Sequence, residues 1–127
     1  MFSLQAIREA HAKVKSGADF PAYVKELKKL GVSSYHSFVS DGHTDFFGEQ
    51  GFHLLSGARY TTLKIAIFPK PDFFVEKLKA HQQGASSYEE FCQQAAEAGV
   101  SKWIVDTQQM TCTYLDSTGK ILLLERF

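Results

Sequence analysis

A chain of 127 residues, 44% hydrophobic and 22% charged, is long enough to bury a core and too apolar to be disordered. Its 14 Lys and Arg balance 14 Asp and Glu, so it lacks the broad basic footprint that nucleic acid or an anionic membrane surface demands. No run of about 18 apolar residues occurs, so no membrane span is expected. Cys92 and Cys112 are too few and too far apart for a disulfide framework or a zinc knuckle. The start, Met1-Phe2-Ser3, turns polar at once, without the charged opening and apolar centre of a signal peptide. A cytoplasmic, reducing setting is therefore the expectation.

In chain order, residues 3–16 predict a helix with Leu4, Ile7, His11 and Val14 turned inward. A second helix is expected over 20–30, with Asp19 at its N-cap and Gly31 at its C-cap. Residues 32–39 read as a strand, Asp41-Gly42 is a hairpin turn signal, and 44–47 return as a second strand. The stretch 48–59 (GEQGFHLLSGAR) carries three glycines around an apolar centre. It suits either a binding segment on a rigid scaffold or a longer hairpin connection containing part of a strand. Residues 60–68 alternate through Leu63, Ile65 and Ile67 and predict a central strand, stopped by Pro69 and Pro71. A third helix is expected from Asp72 to about residue 84. A fourth starts at Ser87, whose spacing to Glu90 makes a capping box, and ends at Gly99. Strands over 102–107 and 110–115 flank a short turn at Gln108-Gln109, and 120–126 forms the last strand. The expected fold is two-layer α+β: one domain over 1–127, with a mainly antiparallel sheet of about six strands and about four helices.

The apolar stripe Tyr88, Phe91, Cys92, Ala95, Ala98 repeats the stripe Phe20, Tyr23, Val24, Leu27, Leu30, and a glycine closes both. Tyr35 and Trp103 each stand four residues beyond that glycine. Upstream, residues 7–17 align with 74–84, matching Glu9 to Glu76 and Gly17 to Gly84. The pattern predicts two similar helix–helix–strand–strand(–strand) halves, over about 3–68 and 71–127.

Side chains that would line a pocket between such halves are His43, Asp45, Arg59, His81, Trp103, Asp106 and Cys112. Each also has a structural reading. His81, like His11, falls on an inward helix stripe and suits a buried, hydrogen-bonded ring. Cys112 alternates with Met110 and Tyr114 as a small hydrophobe. Asp106 interrupts an apolar strand and suits capping of the turn that follows. A Cys–His pair would require a histidine such as His81 beside Cys92, which sequence does not place. No two histidines have helical metal-ligand spacing, and no G-x-S-x-G, phosphate loop or dinucleotide fingerprint occurs. Neither metal, cofactor nor catalytic set is expected. Aromatics left on an uncovered sheet face would serve a ligand or a homodimer contact.

At HQQG (81–84), SYEEFC (87–92), AGVSKWIVD (98–106) and MTCTYLD (110–116), the sequence closely resembles the YbcV-like family. The likeness is looser over 30–47. These are short bacterial and prophage-borne proteins, classed as a domain of unknown function and sometimes labelled phage envelope protein. The resemblance implies a small cytoplasmic α+β protein and offers no catalytic residues. The resulting expectation is a non-enzymatic binding or interaction module; the alternative is a small enzyme or small-molecule binder with its pocket between the halves.

Overall fold

The computed structural model describes residues 2–15 and 17–127. Helix α1 (Leu4–His11) is capped by Ser3, whose hydroxyl accepts from the Ala6 N–H at 3.1 Å. It is shorter than the predicted 3–16, and Ser16 lies outside the described residues. Helix α2 (Phe20–Leu30) ends on Gly31 in the left-handed conformation. Asp19 stands at its N-cap position but makes no capping bond; its carboxylate instead accepts from the Lys15 N–H at 2.8 Å. Strands β1 (Ser34–Phe38), β2 (Thr44–Phe47) and β3 (His53–Ser56) form a meander. Helices α3 (Pro71–Gln82) and α4 (Tyr88–Glu97) follow, α4 with both arms of the Ser87/Glu90 capping box made. A second meander then closes the chain: β4 (Val100–Asp106), β5 (Thr111–Asp116) and β6 (Ile121–Arg126).

All six strands join one antiparallel sheet in the order β3-β2-β1-β4-β5-β6, so the architecture is α+β as expected. The two meanders meet at β1 and β4, with His36 opposite Ile104. Tyr35 stands opposite Phe46 in one meander, and Trp103 opposite Tyr114 in the other. A buried threonine reinforces the seam. The Thr107 hydroxyl donates to the carbonyls of Val32 and Ser33, at 2.7 and 2.9 Å.

One correction concerns the third strand of the first half. Residues 60–68 are not a strand; β3 lies inside the glycine-bearing stretch, at the sheet edge. From that edge the chain must travel back across one end of the molecule to start α3. The alternation at 63–67 serves this crossing: Leu63 and Ile65 pack on the core, while Ile67 and Phe68 lie open to solvent. The crossing's N–H groups bond to a turn and a helix end instead of to a ladder. Arg59 donates to the Asp41 carbonyl at 2.8 Å, Leu63 to Ser40 at 2.6 Å, Ala66 to Ala96 at 2.9 Å and Lys70 to Ala98 at 2.8 Å. A periodicity of two reports which side chains are buried, and it does not require a neighbouring strand.

Side-chain alternation divides the sheet. One face, with Tyr35, Phe46, Trp103, Val105, Cys112 and Tyr114, is buried against the helices, sharing a core with Val24, Leu27, Phe74, Phe91 and Cys92. The other carries His36, Phe38, Phe47, Ile104 and Leu124, and among the described residues no helix covers it. Leu55, Ile121 and Leu124 are about half exposed there. Among the described residues, no helix is long and apolar enough to cross a membrane.

Candidate functional site

The covered sheet face does not pack solidly against the helices. Between them lies a cavity of about 1110 Å³, with walls from both helix pairs and a floor from both meanders. Strand alternation delivers the floor. Tyr35 and Ser37 of β1, Thr44 and Phe46 of β2, Trp103 of β4, and Cys112 and Tyr114 of β5 all point to this side. Helix spacing delivers the walls: Ile7 and His11 from α1, Phe20 and Tyr23 from α2, Leu78 and His81 from α3, Tyr88 and Phe91 from α4. The volume is at the upper end of small-molecule sites, which run to roughly 1,000 Å³.

Rings dominate the lining and meet edge to face or tilted. His11 lies 5.4 Å from Tyr23 and 6.4 Å from Tyr88, so one imidazole spans the gap between the helix pairs. Phe91 is 5.8 Å from Trp103, which is 6.0 Å from Tyr114. At the rim, the backbone bond from Arg59 to the β1–β2 turn holds its exposed guanidinium 4.8 Å over the Tyr88 ring. Arg8, Lys15 and Arg126 also border the cavity, against one carboxylate, Glu125, which is occupied by two bonds of 3.0 Å from the Gln82 amide. A chain of zero net charge therefore surrounds its cavity with an excess of positive charge.

Of the seven side chains singled out in the sequence, Arg59, His81, Trp103 and Cys112 come together on this cavity. His81 stacks on Phe91 at 4.4 Å, and its Nδ1 lies 3.0 Å from the Ser86 hydroxyl. The other three lie elsewhere. His43 pairs with Asp41 beside the β1–β2 turn and stacks on Phe38. Asp45 meets His53 at 3.1 Å on the open face. Asp106 accepts from the N–H groups of Gln108 and Gln109 at 2.8 and 3.0 Å, the turn-capping role its position suggested. Tyr23, Tyr35, Tyr88 and His11 also line the cavity, although in the sequence they read as plain core positions. Their signal was present: hydroxyls and an imidazole on inward stripes need partners or space. Among the described residues, no hydrogen-bond partner reaches the Tyr23 or Tyr35 hydroxyl or the Trp103 indole N–H, and all three residues line the cavity.

Electrostatics make the thiols poor nucleophiles. Burial pushes the Cys112 thiol up to about 12, and burial likewise raises Cys92 despite the opposing influence of the Tyr60 and Tyr88 hydroxyls and Arg59. Iodoacetamide at pH 8 is expected to leave both cysteines unmodified in the native protein and to label both in denaturant. Rapid native labelling of either would contradict this environment.

Three histidines are held below their ordinary value of 6.5, each chiefly by burial. They are His11, with Arg59 adding to the effect, His36, with Lys102 adding to it, and His81. The unfolded chain takes up protons near pH 6.5 that the folded chain refuses, so the stability is fully present above that pH. It falls as the pH drops from 6.5 toward the depressed folded values. Thermal midpoints at pH 7.5, 6.5 and 5.5 should decline in that order, and the double substitution His11→Gln, His81→Gln should flatten the trend. A midpoint that rises on acidification would contradict it.

Comparison with known proteins adds kinship. The family model described as protein of unknown function (DUF1398) matches residues 8–126. The uncharacterized protein YcgX of Escherichia coli (strain K12) is 23% identical over 113 residues, covering 89% of this chain and 84% of YcgX. The uncharacterized proteins Mb2035 of Mycobacterium bovis and Rv2012 of Mycobacterium tuberculosis are each 31% identical over 101 residues. Those matches cover 75% of this chain and 58% of each mycobacterial protein. With the match running from α1 into β6, the chain belongs to the DUF1398 family of proteins of unknown function.

Proposed function

We propose that this protein is a non-enzymatic binding module that holds a small organic molecule between its helices and its sheet. The observation that carries the reading is the cavity of about 1110 Å³, walled by rings and supplied by both halves of the chain. A folded protein packs its interior densely, so a space of this size beneath four helices calls for an occupant. Titration with 1-naphthol tests the reading. Trp103 is the chain's single tryptophan and stands on the cavity floor, so its indole N–H resonance and its emission report on occupancy. A saturable shift of that resonance with a rise in thermal midpoint is expected. An unmoved Trp103 signal up to the solubility limit would sink the proposal.

A second reading concerns the open sheet face. Phe38, Phe47, Ile104 and the exposed Leu55, Ile121 and Leu124 make it apolar enough to meet a second copy of this chain. Light scattering would show a dimer that Leu124→Lys dissociates; a monomer at all concentrations would exclude it. The two meanders further support descent from a doubled unit. Their central hairpins share one register, Tyr35 opposite Phe46 and Trp103 opposite Tyr114, and the helix stripes repeat in step. Within the family, the resemblance of the motifs over 81–116 to the YbcV-like proteins supports kinship with them, and two free, buried cysteines suit a reducing cytoplasm.

A further inference from the structure

We infer that the cavity's ligand is an aromatic monoanion, its flat body against Trp103 and Phe91 and its anionic group beside Arg59. This rests on the binding reading above and narrows it to a ligand class.

Three independent features of the site agree. The walls are rings in edge-to-face and tilted contact whose surfaces line the cavity, which suits a planar body better than a flexible chain. The rim cation is unneutralised: among the described residues, Arg59 forms no ion pair, and its guanidinium carbon lies 4.8 Å over the Tyr88 ring. A cation–π contact engages the guanidinium with the ring and uses none of its N–H donors in a hydrogen bond, so they are free to bind an oxyanion. Three unpartnered groups on the lining can donate: the Trp103 indole N–H can only donate, and the Tyr23 and Tyr35 hydroxyls are free to do so. A ligand rich in acceptor oxygens satisfies them, and a cation would not.

The surrounding charge points the same way. The Arg59 field reaches inward, helping to hold His11 neutral and acting on Tyr23 and Tyr88. The bordering carboxylate, Glu125, is already engaged by Gln82, so little opposes an incoming anion.

Three probes of one body and different charge separate the possibilities: 1-pyrenecarboxylate, 1-pyrenemethanol and 1-pyrenemethylammonium. Each is titrated into the full chain and into Arg59→Gln and Arg59→Lys, following the Trp103 indole N–H resonance. The carboxylate should bind about tenfold more tightly than the alcohol, and the ammonium least tightly, as expected for gaining one charge-assisted contact at a partly solvated rim. Arg59→Gln should bring the carboxylate to the level of the alcohol while leaving the alcohol unchanged, and Arg59→Lys should retain part of the preference. Equal binding of carboxylate and alcohol to the unaltered protein, or the ammonium binding best, would overturn the anion assignment and leave the cavity reading standing. So would a loss in Arg59→Gln shared equally by all three probes. No shift of Trp103 with any probe would overturn both.

Discussion

Replacing Phe74 by alanine is expected to lower the unfolding free energy by about 3–5 kcal/mol, measured by urea denaturation at neutral pH. Phe74 sits on the inner face of α3 at 1% exposure, its ring 4.8 Å from Tyr114 and 5.9 Å from Phe91. Truncation removes the transfer energy of a whole ring and leaves a void that helix and sheet cannot collapse into without moving. A loss of this size is a large fraction of the ~5–15 kcal/mol that holds a typical domain together. The adjacent Phe73 provides the control. It is only half-buried, beside the Lys70 and Lys77 ammonium groups at 6.0 and 5.3 Å, and its truncation should cost under about 1 kcal/mol. Equal costs at the two positions would mean that α3 is turned differently. Because Tyr114 and Phe91 both line the cavity, Phe74→Ala should also weaken binding there through loosened walls.

Gly99→Ala should be the second most damaging single change, at about 2–4 kcal/mol. Gly99 follows α4 with φ of +86°, a conformation that costs any L side chain about 1 kcal/mol. A Cβ there would also stand 2.9 Å from the Cα of Pro69 and 3.3 Å from the Ala66 carbonyl oxygen, both backbone atoms of the crossing segment. Neither can yield without disturbing the bonds from Ala66 and Lys70 to the end of α4. Gly119, with φ of +89° and nothing within 4 Å of its would-be Cβ, isolates the conformational part. Gly119→Ala should cost about 1 kcal/mol, and the excess at Gly99 measures the collision. If the two substitutions proved equivalent under the same denaturation assay, the close approach of the crossing to α4 would be wrong.

Gly99 also marks where sequence reading succeeds and where it stops. Its role as a helix terminator was legible, because a glycine after an apolar stripe has a local cause. The same holds for the Ser87/Glu90 capping box, the Asp41-Gly42 turn, the Asp106 turn cap and the two stripes of α2 and α4. What Gly99 packs against was not legible, since Pro69 reaches it through a crossing whose path depends on β3 lying at the sheet edge. That placement also hid the fate of residues 60–68: their alternation is real, but an edge strand must be followed by a return across the molecule. The site divides along the same line. Arg59, His81, Trp103 and Cys112 were legible as polar or unusual residues on inward or glycine-rich segments. His43 and Asp45 looked equivalent in the sequence, yet strand register sends them to the opposite face and the turn. Tyr23 and Tyr35 followed the periodicity of core positions, and periodicity does not separate a packed interior from a hollow one.

The seam between β1 and β4 has a consequence for how the chain reaches this structure. Every other strand pairing joins neighbours in the sequence across a short loop, whereas His36 must find Ile104 across more than half the chain. Closing so long a span carries an entropic cost that the quick local ladders avoid, so this pairing is the expected slow event of folding. Before it forms, two separate ribbons stand with their inner edges bare. A nascent molecule is then most vulnerable to joining a stranger's β1 or β4 in place of its own, and the partner it would most readily accept is another copy of itself.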